Sequence, residues 1–305
     1  MRFSISIPQL APGGRFDPAA LAPYLARAEA LGFEGAWTFE MAYGPAPVLG
    51  PLETMAFAAA CSTTLRLGCS VLITTLHSPV HLAKSITTLD HLSGGRVVMG
   101  VGSGGRRPFP AFAVDPESYV ARFTEGIQVM KALRTEPEAP FEGRFWQLDK
   151  LPQEPKPLQR PGPPLWFGGS HPAALRRAVR LGDGFFGAGS QTTAQFAEQV
   201  PLVRQALEEA GRDGGFRIAK RVYVAVDDDP GRARDRTAAA LHDLYAVFGA
   251  GDLSPVAVTG RPADCVAGLQ AVADAGAEMI LVHPLFDEAG QMERLAAEVL
   301  PSVSP

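Results

Sequence analysis

Glycines and polar residues follow several apolar segments of this chain, and the clearest case is FGGSH (167–171). Gly168 and Gly169 end an apolar run, and a segment with helical spacing begins near His171. Glycines let a backbone approach a ligand closely, and the N–H groups at a helix start favour an anion. Ser170 is a suitable cap for that helix. The pattern predicts a phosphate site or an ordinary strand-to-helix turn, and we favour the phosphate site.

Two histidines are placed for proton transfer. His77 and His283 each follow an apolar segment, whereas His81, His91 and His242 fall within segments of helical spacing. An imidazole at the end of a strand can act as an acid or base if it faces a substrate. The other three histidines are expected to have surface or packing roles.

The segment GVGSGGRR (100–107) contains a second glycine cluster. It is similar to the dinucleotide-binding pattern, but that pattern functions after the first strand of a fold, and this segment comes later. Arg106 or Arg107 could contact a second anion, or both could be solvated loop residues.

These residues can meet only if the fold brings the ends of separate strands together. Residues 65–105 are predicted to form a strand, a helix that starts at Pro79, and a second strand, which is the pattern of a parallel βαβ unit. Eight such apolar strands, each followed by a helix, predict an α/β protein, a (β/α)8 TIM barrel. A doubly wound sheet is the alternative, but it usually has fewer strands and a glycine-rich first turn.

A single domain of residues 1–305 is expected, with an irregular proline-rich insertion at 136–163. Insertion loops at the carboxyl-terminal face of the strands are predicted to form the substrate pocket, namely residues 42–50, 104–115 and the proline-rich insertion. Their apolar content suggests a hydrophobic or aromatic substrate.

The active site of a barrel is built from residues that follow the strands. In this chain they are Gln9, Glu40, Ser70 to Thr75, His77, Gly102 to Arg107, Gly168 to His171, Gly187 to Gly189, Tyr223 and His283. Five aromatic residues near this mouth could hold a flat aromatic cofactor or could belong to the core: Trp37, Phe39, Trp166, Phe185 and Phe186.

Composition excludes several classes of function. The net charge of −4 gives no electrostatic reason to expect a nucleic acid. No His, Cys or carboxylate spacing is typical of a metal site, so no metal is expected. The three cysteines form no CxxC pair and suggest buried free thiols in a reducing compartment. No signal peptide or membrane-spanning run is recognised, so we expect a cytoplasmic protein with a small-molecule substrate.

Three segments carry a resemblance to a known family. SVLITTLHSPVHLAKSITTLDHLSGGRVVMGVGSGG (70–105), RFTEGIQVMKAL (122–133) and PPLWFGGSHPAALRRAVRLGDGF (163–185) resemble the bacterial luciferase-like monooxygenase family. The resemblance extends over nearly the whole chain. The third segment is most similar to the branch that uses coenzyme F-420, although flavin mononucleotide (FMN) enzymes share much of it.

The resemblance implies an oxidoreductase that holds the ring of its cofactor at the strand ends. With coenzyme F-420, it would transfer a hydride to or from a hydrophobic organic substrate. With reduced FMN, it would be a monooxygenase, and a third alternative is a non-catalytic flavin-binding barrel. The family also suggests a homodimer and a flavin or F-420 reductase that supplies reduced cofactor.

The resemblance also implies the roles of particular residues. A non-prolyl cis peptide bond behind the ring falls on Ser70–Val71. Phosphate contacts fall on Gly168, Gly169 and Ser170, and contacts to the ring and its side chain fall on Gly102, Ser103, Ala188 and Gly189.

One departure from the family pattern affects the chemistry. Many members have an Asp-His pair after the second strand, but this chain reads WTFEM (37–41), with Glu40 in the Asp place and Met41 in the His place. Methionine cannot transfer a proton. Glu40 and His77 are therefore the predicted catalytic residues, and a salt-bridged loop role for Glu40 remains open.

Overall fold

Eight parallel strands close into a barrel in the computed structural model, which describes residues 1–212, 214–249 and 251–305. The strands in these residues are β1 (Arg2–Ser6), β2 (Gly35–Thr38), β3 (Arg66–Ile73), β4 (Val97–Gly102), β5 (Ala139–Glu142), β6 (Gln147–Leu151), β7 (Leu165–Gly168), β8 (Gly184–Gly187), β9 (Arg217–Val226), β10 (Val258–Gly260) and β11 (Met279–His283). The barrel order is β1-β2-β3-β4-β7-β8-β9-β11, and β11 pairs again with β1. The predicted TIM barrel is confirmed.

A helix follows each barrel strand, and two helices follow β9. The helices are α1 (Pro18–Ala30), α2 (Pro51–Cys61), α3 (Pro79–Leu92), α4 (Tyr119–Thr135), α5 (Pro172–Leu181), α6 (Thr193–Glu209), α7 (Pro230–Tyr245), α8 (Pro262–Asp274) and α9 (Glu288–Arg294). Most of them begin with proline, whose missing N–H would have no helical partner at that position. Across the described ranges, no helix combines the length and the hydrophobicity needed to cross a membrane.

The apolar side chains form two layers, one between strands and helices and one inside the barrel. The inner layer contains Trp37 and Trp166, whose ring centroids are 5.5 Å apart. Phe185 faces outward and stacks on Phe196 of α6. For these three aromatic residues, the core interpretation is therefore correct. The outer layer also buries the free thiols of Cys69 and Cys265, whereas Cys61 is only half-buried.

The proline-rich segment 136–163 lies on the outside of α3 and α4. It forms the hairpin β5–β6, and the Glu125 carboxylate of α4 accepts the N–H groups of Phe145 and Trp146 at 2.8 and 2.9 Å. It does not line the cavity at the carboxyl ends of the strands. The expectation that it borders the substrate pocket is therefore wrong. The segment lies between α4 and β7, and a connection from a helix to the next strand starts at the amino-terminal end of the barrel strands, opposite to the cavity.

Close packing between β3 and β4 generates a first prediction. A Cβ atom on Gly100 of β4 would lie 2.1 Å from the carbonyl oxygen of Cys69, which belongs to the neighbouring strand. Gly100→Ala is expected to lower the free energy of unfolding by about 1–3 kcal/mol because the paired strands cannot separate. The measurement is the urea midpoint, followed by circular dichroism.

Gly105→Ala is the matched control, since a Cβ atom there meets no atom within 4 Å. Its free energy of unfolding should stay within about 0.5 kcal/mol of the wild type. Equal midpoints for the two variants would contradict the prediction.

Candidate functional site

A cavity of about 680 Å³ opens at the carboxyl ends of the barrel strands, a size typical of cofactor and substrate sites. Of the eleven residues predicted to be catalytic or to bind the cofactor, nine line it, namely Glu40, Ser70, Val71, Gly102, Ser103, Gly168, Gly169, Ser170 and Ala188. His77 and Gly189 do not line it. In the part of the chain that the structure describes, no group of three His, Cys, Asp or Glu residues could hold a metal ion.

One wall of the cavity is a bulge in β3. The Ser70–Val71 peptide bond is cis, as predicted, and the pairing of β3 with β4 shifts between Cys69 and Leu72. The side chain of Val71 lies against the space that glycines of β4 and β7, the next two strands of the barrel, leave open. A Cβ atom on Gly102 would lie 2.8 Å from Val71, and one on Gly168 would lie 3.1 Å from it. These two glycines therefore make room for Val71 rather than for a ligand alone.

Ser70 supplies a hydroxyl group without a protein partner. Its Oγ is buried and has no hydrogen-bond partner among the described residues, and Ser70 lines the cavity. A buried hydroxyl without a hydrogen bond costs about 1–3 kcal/mol. A polar group of a bound molecule could satisfy it.

The start of α5 forms a second wall. His171 is the helix cap, because its Nδ1 accepts the N–H of Ala173 at 3.2 Å. The prediction that Ser170 caps the helix is therefore wrong, and Ser170 is exposed and lines the cavity instead. Arg177, on the same helix, also lines the cavity. The helix dipole and this guanidinium together favour an anion here.

Glu40 and His77 form an ion pair at the edge of the cavity. The Nε2 of His77 lies 2.7 Å from one carboxylate oxygen of Glu40, and the other oxygen accepts the N–H of Ile73 at 2.5 Å. The Glu40 side chain is only 4% exposed. Both oxygens are therefore engaged by the protein, which fits the salt-bridged loop role. This arrangement ties the end of β2 to the turn after β3.

The charge of Glu40 sets the ionisation of His77. Burial would lower the pKa of His77, but the hydrogen bond and the negative charge of Glu40, helped by Glu53, raise that pKa above its ordinary value. At a given pH near neutrality, folding therefore increases the protonated fraction of the imidazole.

Arg221 of β9 and Tyr245 of α7 line the cavity and were missed from the sequence. One Arg221 nitrogen donates to the Ser70 carbonyl oxygen at 3.0 Å, and another donates to the Tyr245 hydroxyl at 3.2 Å. The Tyr245 and Tyr223 hydroxyl oxygens are 2.8 Å apart. Burial would lower the pKa of Arg221, but nearby phenol and thiol groups hold it above the ordinary value. The guanidinium therefore stays charged.

Lys220 holds the loop after β8. Its side chain is buried, and its ammonium donates to the carbonyl oxygens of Ala188 and Gln191. Burial, and then the charge of Arg221, lower the pKa of Lys220 to about 7. Two cationic residues in succession within an otherwise apolar strand were the signal that could have identified this part of the site, because buried lysine and arginine are rare.

His283 packs against the ring of Tyr223 and does not line the cavity. Burial, and then the charge of Arg221, lower the pKa of His283 well below its ordinary value, so the imidazole is neutral. Its ring packs at 5.1 Å from the ring of Tyr223 and 5.5 Å from that of Phe39. The structure therefore gives His283 a packing position, and His77 contacts Glu40 instead of the cavity.

Comparison with known proteins yields matches over most of the chain. A sequence profile of the luciferase-like monooxygenase family matches residues 1–279. An F-420-dependent glucose-6-phosphate dehydrogenase of Kineococcus radiotolerans is 26% identical, and the match covers 95% of each chain.

Two solved structures share the fold. The monooxygenase RslO1 from Streptomyces bottropensis superposes with a TM-score of 0.84 at 23% identity, covering 100% of both chains. An F-420-dependent secondary alcohol dehydrogenase in complex with an F-420–acetone adduct gives 0.85 at 18% identity, covering 100% of this chain and 99% of that one.

The His77–Glu40 pair generates a second prediction. The His77 pKa, followed by NMR of its imidazole, should lie above the ordinary value of about 6.5. In the Glu40→Gln variant it should fall, because burial persists after the negative charge is removed. An unchanged pKa in that variant would show that Glu40 does not control the ionisation of His77.

Stability should follow the same ionisation. A raised pKa in the folded state means that the stabilising contribution of the pair is complete below about pH 6.5 and is lost as the pH rises through the folded-state pKa. The loss of stability in His77→Gln, measured by urea unfolding, should therefore be larger at low pH than at high pH.

Proposed function

Because the chain belongs to the luciferase-like monooxygenase family, we propose that it is an oxidoreductase that binds coenzyme F-420 and transfers a hydride to or from a hydrophobic organic substrate. The observation that carries the proposal is the cavity, in which the Val71 wall and the start of α5 occur together. A relative named as F-420-dependent, matched over 95% of both chains, supports this choice of cofactor.

The cavity has the features that such a cofactor needs. Val71 would support one face of the ring, with Gly102 and Ser103 beside it. The Ser70 hydroxyl has no hydrogen-bond partner in the protein, and a heteroatom of the ring could form that hydrogen bond. The cofactor phosphate would lie at Gly168, Gly169 and Ser170, with Arg177 nearby. Ala188, in the loop that Lys220 holds, would contact the remaining part of the cofactor, whereas the predicted contact of Gly189 is not supported by the cavity lining.

Bound coenzyme F-420 supplies hydride transfer at its C5 position, whereas reduced FMN would supply oxygen activation. The protein positions the ring between the β3 bulge and the loop after β8 and limits access of water. The walls contributed by the segment after β2, by α7 and by the turn after α7 are largely apolar and include Phe39, Met41, Leu244 and Phe248. This composition favours a hydrophobic substrate over a sugar phosphate, which needs several cationic contacts.

We extend the proposal to the setting of the enzyme. By resemblance to the family, it is a cytoplasmic homodimer, and a separate flavin or F-420 reductase supplies the reduced cofactor. The three free cysteines support a reducing compartment. Sedimentation of the purified protein tests the dimer.

Cofactor choice is the third prediction. The purified protein should bind coenzyme F-420 tightly and FMN more weakly, as measured by titration with cofactor fluorescence as the signal. Tight binding of FMN alone would favour the monooxygenase alternative. Binding of neither cofactor would favour the non-catalytic alternative, which is consistent with Met41 in the place of the usual histidine.

The phosphate site generates the fourth prediction. Gly169→Asp should weaken binding of coenzyme F-420 about tenfold, which corresponds to about 1.4 kcal/mol, because a carboxylate would oppose the phosphate. Gly169→Asn is the matched control, since it introduces a side chain of the same shape without charge. Both variants carry the same steric change, since a Cβ atom on Gly169 would lie 2.9 Å from Ala174. Equal affinities of the two variants would argue against a phosphate at this position.

A further inference from the structure

Hydride transfer to a carbonyl group also requires a proton on the oxygen, and the loop after β2 does not supply one. Met41 has no exchangeable proton and packs against an apolar cluster that contains Phe39, Leu241 and Leu244. Glu40 uses both carboxylate oxygens to bind His77 and the backbone of Ile73. The proton must come from another wall of the cavity.

The candidate proton donor on another wall is the cluster of Arg221, Tyr223 and Tyr245, all of which line the cavity. The Tyr245 hydroxyl oxygen accepts a hydrogen bond from Arg221 at 3.2 Å and lies 2.8 Å from the Tyr223 hydroxyl. Arg221 can only donate, so the Tyr245 oxygen accepts that bond, and when Tyr223 donates the other bond the Tyr245 proton is free for a substrate. No carboxylate forms an ion pair with Arg221 among the described residues, so its charge is available to the Tyr245 oxygen.

The geometry also places this hydroxyl close to the proposed ring wall. The same guanidinium that contacts Tyr245 donates through its other nitrogen to the Ser70 carbonyl at 3.0 Å. One planar group therefore links the β3 bulge to the Tyr245 hydroxyl. Burial raises the pKa of Tyr223 well above its ordinary value, so Tyr223 remains a neutral phenol that can donate to Tyr245.

We propose that Tyr245 is the catalytic acid and base of this enzyme, that Arg221 and Tyr223 are its positioning residues, and that the substrate is a hydrophobic alcohol or its carbonyl product. The inference rests on the proposed function. It assigns proton transfer to α7, because this chain has Glu40 and Met41 after β2 in place of the Asp-His pair.

The step balances without a further reactant. In the direction of reduction, the hydride that bound reduced coenzyme F-420 would supply adds to the carbonyl carbon, the cofactor would be left oxidised, and the π-electron pair moves to the oxygen. The Tyr245 O–H bond breaks, a bond forms between that proton and the substrate oxygen, and the tyrosinate charge is stabilised by Arg221. Solvent at the cavity mouth returns the proton. Alcohol oxidation is the reverse, with the tyrosinate as base.

The test compares Tyr245→Phe with wild type, with cyclohexanol and cyclohexanone as probes and coenzyme F-420 as cofactor. The variant should lose about 10²–10⁴-fold in kcat, as expected for removal of a general acid or base, and should retain affinity for coenzyme F-420. Tyr43→Phe is the matched control. The expectation that residues 42–50 form the substrate pocket is wrong, since none of them lines the cavity; Tyr43 of that segment packs on Phe248 at 6.0 Å, so its variant should keep wild-type kcat.

A binding measurement makes the test independent of turnover. Cyclohexanecarboxamide presents a carbonyl oxygen that can accept the Tyr245 proton but cannot be reduced by hydride transfer under these conditions. Calorimetry should show binding to the wild-type complex with coenzyme F-420 and about 2–10-fold weaker binding to Tyr245→Phe, the loss expected for one hydrogen bond. Equal amide affinities, or no amide binding to the wild type, would overturn the inference.

The pH profile separates the roles of the cluster. The groups that face Tyr245 are Arg221 and Tyr223 from β9, with Arg107 near it through the carbonyl of Val247. The limb of the oxidation profile that requires a deprotonated base should disappear in Tyr245→Phe, and Arg221→Gln should lower kcat with little change in KM. An unchanged profile in both variants overturns the inference. Failure of coenzyme F-420 to bind the wild type would instead reject the proposed function itself.

Discussion

The packing of Val71 against its neighbouring strands is the constraint on which the cavity depends. A parallel barrel is covered on its outer face by helices and filled on its inner face by side chains, so a bulge in one strand needs space in the next. Glycines on β4 and β7 provide that space, and a Cβ atom on Gly102 or Gly168 would press on Val71. The shape of the wall is therefore determined by three strands together, although only β3 carries the cis bond.

Charge is arranged unevenly around this wall. The two cationic residues of β9 lie next to each other in sequence and point to opposite faces of the strand. Arg221 faces the cavity and contacts the β3 bulge, whereas Lys220 fixes the carbonyl groups of the loop after β8. On the other side, Glu40 is neutralised by His77. The cavity is thus positive at β9 and at α5, which suits an anionic cofactor.

Much of the fold was predictable from local patterns. Continuous apolar runs identified the barrel strands, and the motif around β3 identified the position of the cis bond. The predicted location of the proline-rich insertion was wrong, because composition indicates an irregular segment but not the side of the barrel on which it lies. Ser170 was chosen as the helix cap because serine is a common cap, but His171 occupies that place.

The proton-transfer residues were harder to predict. Tyr245 lies near the end of a helix, and nothing in its spacing reveals that α7 brings it within hydrogen-bond distance of β9. Arg221 lies in a segment interpreted as an ordinary apolar strand, and its position directly after Lys220 was the one local signal that was overlooked. Contacts of this kind depend on the approach of elements that are distant in sequence, and local patterns contain no information about them.

The two tryptophans inside the barrel also give the molecule an optical property. Trp37 and Trp166 lie 5.5 Å apart with a tilt of 32°, close enough for their excited states to couple. The third, Trp146, belongs to the external hairpin, and none of the three lines the cavity. Near-ultraviolet dichroism of the pair therefore reports the integrity of the barrel interior. Quenching of tryptophan emission by a bound chromophore would reflect energy transfer over a distance rather than direct contact.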